Sequence, residues 1–235
     1  MKAGTRQGGL AFGLAGLAFV MGSCVMPGST PHHYNWFELP REQDPWRRPI
    51  LDWQGRVRNR HAEPLRSDAP DTAAPGRAGK PAEPEELALA YQSFQEEERR
   101  RTVLRVGKWI REQSRLHFVP DPGIDIWPTA QEVLESGGDD CDGLAFLTHQ
   151  MLLELGFERE DLYLAIVRRH SDALHHMISL WFGDGEDPWV IDPTGAMTNE
   201  MVRMSEINGW EPLAVFSETQ HYRALPHVAS ASPSE

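Results

Sequence analysis

The chain has 235 residues, in which 23 Lys and Arg stand against 35 Asp and Glu, so its formal net charge is −12. This acidity argues against nucleic acid as a partner, because binding to phosphates requires clustered cations. The length suits one domain with extensions. Eight Trp and nine Phe supply the large apolar side chains that a core needs.

The N-terminus carries the pattern of an export signal. A short basic segment is followed by an apolar stretch from about 8 to 21, which is too short for a comfortable membrane span. The stretch ends in Met21-Gly22-Ser23-Cys24, which resembles a bacterial lipoprotein box. We predict a signal peptide over 1–23 and lipidation of Cys24, which would anchor the chain to a bacterial membrane in the cell envelope, facing the periplasm or the exterior. A plain signal peptide cleaved nearby is the alternative.

The next segment is rich in Pro, Gly, Ala and scattered charge. It shows no sustained helical or strand period, which predicts a lipid-anchored linker over 24–84 and a folded domain over 85–235. Three tryptophans interrupt the linker, and they could dock on the domain, contact a partner or face solvent: Trp36, Trp46 and Trp53.

From residue 85 onward the pattern predicts helices followed by strands. Three helices are expected, over about 85–117, from the capping box at Thr129 to Gly137, and from Cys141 to a left-handed cap at Gly156. Strands are expected over 163–167, 176–182 and 189–192, with a short one near 213–216. Helices followed by an antiparallel sheet define an α+β fold.

Cys141 is the candidate nucleophile. Only two cysteines exist, and a disulfide with Cys24 across the long linker is implausible, so Cys141 is expected to be a lone thiol. A helix N-terminus stabilises a thiolate. The acidic run Asp139, Asp140 and Asp142 opposes this by raising the thiol pKa, so activation requires a histidine. A buried structural cysteine is the alternative.

The strand pattern selects His176 as the base. If 183–188 forms a hairpin turn, His176 lies opposite 192–195 and faces Asp192, which would hold the imidazole in the correct tautomer. Alternation places His176 with Ile178 and Leu180 on an apolar face, which we expect to pack on the Cys141 helix.

No metal or cofactor is expected, because the histidines show no tight ligand pattern and one cysteine is few for zinc. The histidines considered are His149, His170, His175 and His176.

Three motifs together resemble the transglutaminase-like cysteine peptidases of bacteria. They are Trp127-Pro128-Thr129-Ala130-Gln131-Glu132-Val133-Leu134, then Gly137-Gly138-Asp139-Asp140-Cys141-Asp142, and Trp189-Val190-Ile191-Asp192-Pro193-Thr194. The resemblance covers about 85–197. It implies a papain-like α+β fold, with the cysteine helix packed on an antiparallel sheet and Cys141, His176 and Asp192 as the triad. Many relatives carry an acidic pair after the cysteine, whereas Asp142-Gly143 follows here.

Within the same motifs, Trp127, Gly138 and Asp140 are assigned to substrate binding. Gly138 gives the backbone freedom to approach a substrate carbonyl closely.

The predicted activity is hydrolysis of a peptide or isopeptide amide in the cell envelope through a thioester intermediate. The substrate would be a peptide or protein of that compartment. Two alternatives remain open. An amine could capture the thioester, which would make the protein a crosslinking transglutaminase, or the domain could be a non-catalytic lipid-anchored binding or assembly module.

Overall fold

The computed structural model of the protein describes residues 34–60, 84–120, 126–183 and 185–226. All of them belong to the compact unit Pro31–Glu235. The predicted signal peptide and the lipidation site Cys24 lie outside the described residues. No helix within these ranges is long and apolar enough to cross a membrane.

The described chain forms an α+β fold, as predicted. The helices are α1 (Arg47–Arg60), α2 (Pro84–His117), α3 (Ala130–Ser136) and α4 (Cys141–Glu154). The strands are β1 (Tyr34–Glu38), β2 (Leu162–Arg169), β3 (His175–Trp181), β4 (Trp189–Ile191), β5 (Trp210–Phe216) and β6 (His221–Pro226). They form one sheet in the order β1-β6-β5-β2-β3-β4, in which every neighbouring pair is antiparallel.

The helix ends before the sheet follow local sequence signals, and the predicted caps are confirmed. Thr129 Oγ1 accepts from the backbone N–H of Glu132, whose carboxylate accepts from the Thr129 N–H at 2.6 Å. Gly137 ends α3 with φ +81°. After α4, Gly156 has φ +86° and Phe157 donates to the Leu152 carbonyl, which satisfies carbonyl groups at the helix end.

Helix α4 packs on the face of the sheet opposite to the predicted one. The Ser179 hydroxyl donates to the Ala145 carbonyl at 3.2 Å, and Met177 belongs to the same apolar cluster as Ala145. Ile178 and Leu180 pack on the other side of the sheet. The prediction that Ile178 and Leu180 pack on the Cys141 helix is therefore wrong. Because helices cover one side and residues of the connection between β4 and β5 pack on the other, β3 is buried on both faces, and its alternation carries no contrast of polarity.

The segment predicted as a linker contributes a strand and a helix to the domain, so the linker prediction is wrong for 34–60 and the boundary at 85 lies too late in the chain. β1 pairs with β6, and Trp36 is buried against the sheet. In α1, Trp53 is 3% exposed and stacks on Phe146 of α4 with ring centroids 4.7 Å apart. Trp46 packs against the cluster that contains Trp53, so all three tryptophans dock on the domain. Residues 61–83 lie outside the described residues.

The role of α1 in the core leads to a prediction for Trp53. Trp53→Ala is expected to lower the free energy of unfolding by about 3 kcal/mol, because a large cavity replaces the indole between two aromatic rings. Leu51 on the same helix is 48% exposed and provides the control, for which an alanine change of no more than about 0.5 kcal/mol is expected. Urea denaturation measures both values, and equal effects would contradict the burial of α1.

Candidate active site

Cys141 is the first residue of α4. Asp140 is the N-cap residue, and its Oδ1 accepts from the backbone N–H of Asp142 at 3.1 Å. The Cys141 side chain is a half-buried thiol that packs against the apolar cluster containing Met177. The helix dipole favours a thiolate at this position, because its positive end lies at the start of α4.

Helix α4 and strand β3 run in the same direction, which brings Cys141 and His176 to the same end of the pair. Ala145 contacts Ser179, and further along both elements Leu152 shares a cluster with Trp181. The starts of helix and strand must therefore lie together.

His176 and Asp192 form a buried hydrogen-bonded pair, as their predicted register requires. Ser179 lies opposite Ile191 and Leu180 opposite Val190, so the hairpin is centred near 185. The His176 Nε2 lies 2.9 Å from the Asp192 Oδ1, and the two residues are 5% and 0% exposed. Because an ionised carboxylate only accepts, Nε2 carries the proton and Nδ1 is left to accept one. The juxtaposition is confirmed, whereas the catalytic roles stay a proposal.

Asp192 is held by the loop that follows β4. Its two carboxylate oxygens accept from four backbone N–H groups, those of Thr194, Gly195, Met197 and Thr198. Burial by itself raises the pKa of Asp192. The hydrogen bond and charge of His176, together with two of these N–H groups, outweigh burial and lower the pKa to about 2. Asp192 is therefore a carboxylate at neutral pH.

The neighbouring His175 has a different environment. It is exposed, and its ring packs edge-on against Trp46 with centroids 5.0 Å apart. Because side chains alternate along a strand and Met177 packs on the α4 side, His175 also points to the α4 face of the sheet. Of the two adjacent histidines, His176 is the one bound to a buried carboxylate.

The predicted substrate-binding residues have other local roles. Trp127 is 4% exposed and packs against Phe146 and Phe216, which makes it a core residue and corrects its assignment to substrate binding. Gly138 allows a close approach of two backbones, because a Cβ there would lie 2.2 Å from the His117 carbonyl oxygen. Asp140 caps α4, and its contact with substrate stays a prediction.

The acidic run at the start of α4 is the group in this site that could hold a metal ion. Asp139, Asp140 and Asp142 each offer a carboxylate oxygen, and these oxygens lie within 4.8 Å of one another. Such oxygens suit a hard divalent cation such as Ca²⁺. The expectation of no metal considered only histidine and cysteine as ligands, and the acidic run itself was the signal that it did not use.

Arg111 of α2 is a neighbour of Asp192 that sequence reasoning missed. It is half-buried, and its Cδ would lie 3.7 Å from a Cβ built on Gly195. Burial lowers the pKa of Arg111, and the charge of Asp192 raises it. The two residues are far apart in the chain, so no local pattern could have linked them.

A cavity of about 1050 Å³ lies between α1, α3 and α4, and the three triad candidates are not among the described residues that line it. In its wall His149 lies beside Glu218, with 3.8 Å between Nε2 and Oε1. Burial raises the pKa of Glu218, but His149 and Arg159 lower it to about 2. We assign this pair to the packing of the domain, since both side chains are almost fully buried.

Comparisons with known proteins give similarity to solved structures alone. No family model and no curated protein matches the chain. The calcium-bound LapG of Legionella pneumophila is 17% identical over 52% of this chain and 66% of that chain, with a TM-score of 0.46. The EGTA-treated form is 17% identical over 53% and 67%, with a TM-score of 0.47. A predicted cysteine protease of Cytophaga hutchinsonii is 13% identical over 56% and 46%, with a TM-score of 0.33. Likenesses this distant assign no activity.

Proposed function

We propose that the protein is a thiol-dependent acyl-transfer enzyme that hydrolyses a peptide or isopeptide amide. Cys141 is the nucleophile, His176 the general base and Asp192 the residue that orients the imidazole. The observation that carries this proposal is the buried 2.9 Å contact between His176 and Asp192. It lies at the end of β3 where α4 places Cys141. The motif resemblance over about 85–197 supports the same assignment.

The reaction proceeds in two steps. The Cys141 thiol transfers its proton to His176 Nδ1 while Sγ forms a bond to the amide carbon, and the negative charge moves to the carbonyl oxygen. Backbone N–H groups at the start of α4 stabilise that oxygen. His176 then gives the proton to the departing amine, which leaves a thioester. Water attacks the thioester with His176 again as base, and the acid and the free thiol are released.

The proposed setting is the cell envelope. The signal peptide over 1–23 and a lipid on Cys24 would hold the domain at a membrane surface, where a peptide or protein of that compartment would be its substrate. A crosslinking transglutaminase differs only in the group that captures the thioester. A non-catalytic binding module would keep the fold without turnover.

Labelling with a broad electrophilic probe for cysteine hydrolases tests the proposal. The full chain is compared with Cys141→Ala, His176→Ala and, as the control for the second thiol, Cys24→Ser. We expect a single adduct, observed by intact-mass measurement, that disappears in Cys141→Ala, is strongly reduced in His176→Ala and persists in Cys24→Ser. A folded chain without an adduct, or one whose adduct is unaffected by His176→Ala, would favour the binding module.

Turnover in ¹⁸O-water with an alkylamine present separates the two chemistries. Hydrolysis places one ¹⁸O in the acid product, whereas transamidation yields the alkylamide without ¹⁸O. We expect the labelled acid to dominate with peptides that the enzyme cleaves.

A further inference from the structure

The N-terminal segment places an aromatic side chain beside the candidate site. Trp46 lies directly before α1, outside the part of the chain that resembles the peptidase family. Its backbone N–H donates to Asp44 Oδ1 at 2.9 Å. The other oxygen of Asp44 lies 4.0 Å from His221 Nε2, and these two side chains are 4% and 9% exposed. Trp46 therefore follows a buried residue that packs beside β6, and it is not a residue of a free linker.

The indole of Trp46 lies on the same face of the sheet as Cys141. Its ring meets that of His175 at 80°, with centroids 5.0 Å apart, and His175 lies on the α4 side of β3. Trp46 and Cys141 are both half-buried, and both pack against the apolar cluster that contains Met177. Since His175 directly precedes the candidate base, its contact with Trp46 places the indole at the strand end where His176 lies.

The exposed part of the indole has no role in the core. The covered part rests on His175 and the apolar cluster, while the remainder is exposed at the end of β3 that carries the candidate base. A flat aromatic surface favours contact with apolar groups.

We infer that Trp46 forms one wall of the substrate cleft and selects substrates with an apolar side chain next to the scissile amide. The inference rests on the proposed function, because it concerns the cleft of the same thiol. It makes 34–60 part of the recognition surface as well as part of the fold.

Two electrophilic probes with the same reactive group test the inference. One carries a glycyl residue next to that group and the other a leucyl residue, and the readout is the ratio of their second-order rates with Cys141. In the wild-type chain the leucyl probe is expected to react about tenfold faster, the size of effect that burying a small apolar side chain produces. In Trp46→Ala the ratio is expected to fall to about one to two by the same reasoning.

Matched variants keep the test decisive. Trp109→Ala removes a tryptophan that is 38% exposed on α2 and should keep the wild-type ratio. Trp46→Gln replaces the ring with a polar chain and should lose the preference as Trp46→Ala does, so it serves if the alanine variant fails to fold. An unchanged ratio in a folded Trp46 variant overturns the inference alone. Absence of reaction with both probes in the wild-type chain overturns the proposed function instead.

Discussion

Replacing His176 by alanine is expected to lower the rate of peptide hydrolysis by about 10³-fold, because general base catalysis by a positioned imidazole contributes about 10² to 10⁴. His175→Ala is the matched control, one residue away on the exposed strand end, and is expected to change the rate by less than about threefold. Steady-state hydrolysis of a cleaved peptide measures both. The contrast arises because His176 is bound to a buried carboxylate, whereas His175 packs on Trp46.

The pH profile of thiol alkylation gives an independent measure of the same pair. With His176 as the base that takes the thiol proton, alkylation of Cys141 should be rapid at neutral pH. In His176→Ala the rate should rise with pH towards the pKa of an ordinary thiol, about 8.5. If His175→Ala slowed alkylation at neutral pH and His176→Ala did not, the assignment of His176 as the base would be contradicted. His175 would then be the base, since it lies on the α4 face of the sheet.

Replacing Asp192 by alanine is expected to reduce both stability and activity. The free energy of unfolding should fall by about 3 to 5 kcal/mol, because buried N–H donors and an imidazole lose their shared acceptor. The rate of hydrolysis should fall by about 10²- to 10⁴-fold, since the imidazole loses its fixed tautomer. Urea unfolding at pH 7 and peptide hydrolysis measure the two effects. Asp192→Asn is the matched variant, because it keeps the volume and one acceptor and removes the charge.

The lowered pKa of Asp192 also predicts a specific acid sensitivity. The pKa of this carboxyl falls from 3.8 to about 2 in the folded protein. Its ionised form therefore adds stability that is fully present above pH 4 and is lost as the pH falls towards 2. The contribution is about 2 kcal/mol, at about 1.4 kcal/mol for each pKa unit. Unfolding measured from pH 7 to pH 2.5 should show a weaker acid dependence for Asp192→Asn. The same dependence in both proteins would contradict the assignment.

The sequence by itself determined the features that arise from short-range chemistry. The capping box at Thr129, the glycine at 156 and the start of α4 at Cys141 could all be identified, because caps depend on residues a few positions apart. The facing of His176 and Asp192 could be predicted for a similar reason, since a tight turn sets the register of the two strands it joins.

Only the tertiary structure decided which surfaces meet. Trp127 was assigned to substrate binding but is buried between aromatic rings. β3 presents to α4 the face opposite to the predicted one, and the sequence could not indicate this because both faces of the strand are apolar. The segment 34–60 lacks a periodic pattern, yet it folds onto the sheet because a few large side chains, above all Trp53, bury enough apolar surface against distant elements. Burial of this kind depends on partners far away in the chain, which a local pattern does not encode.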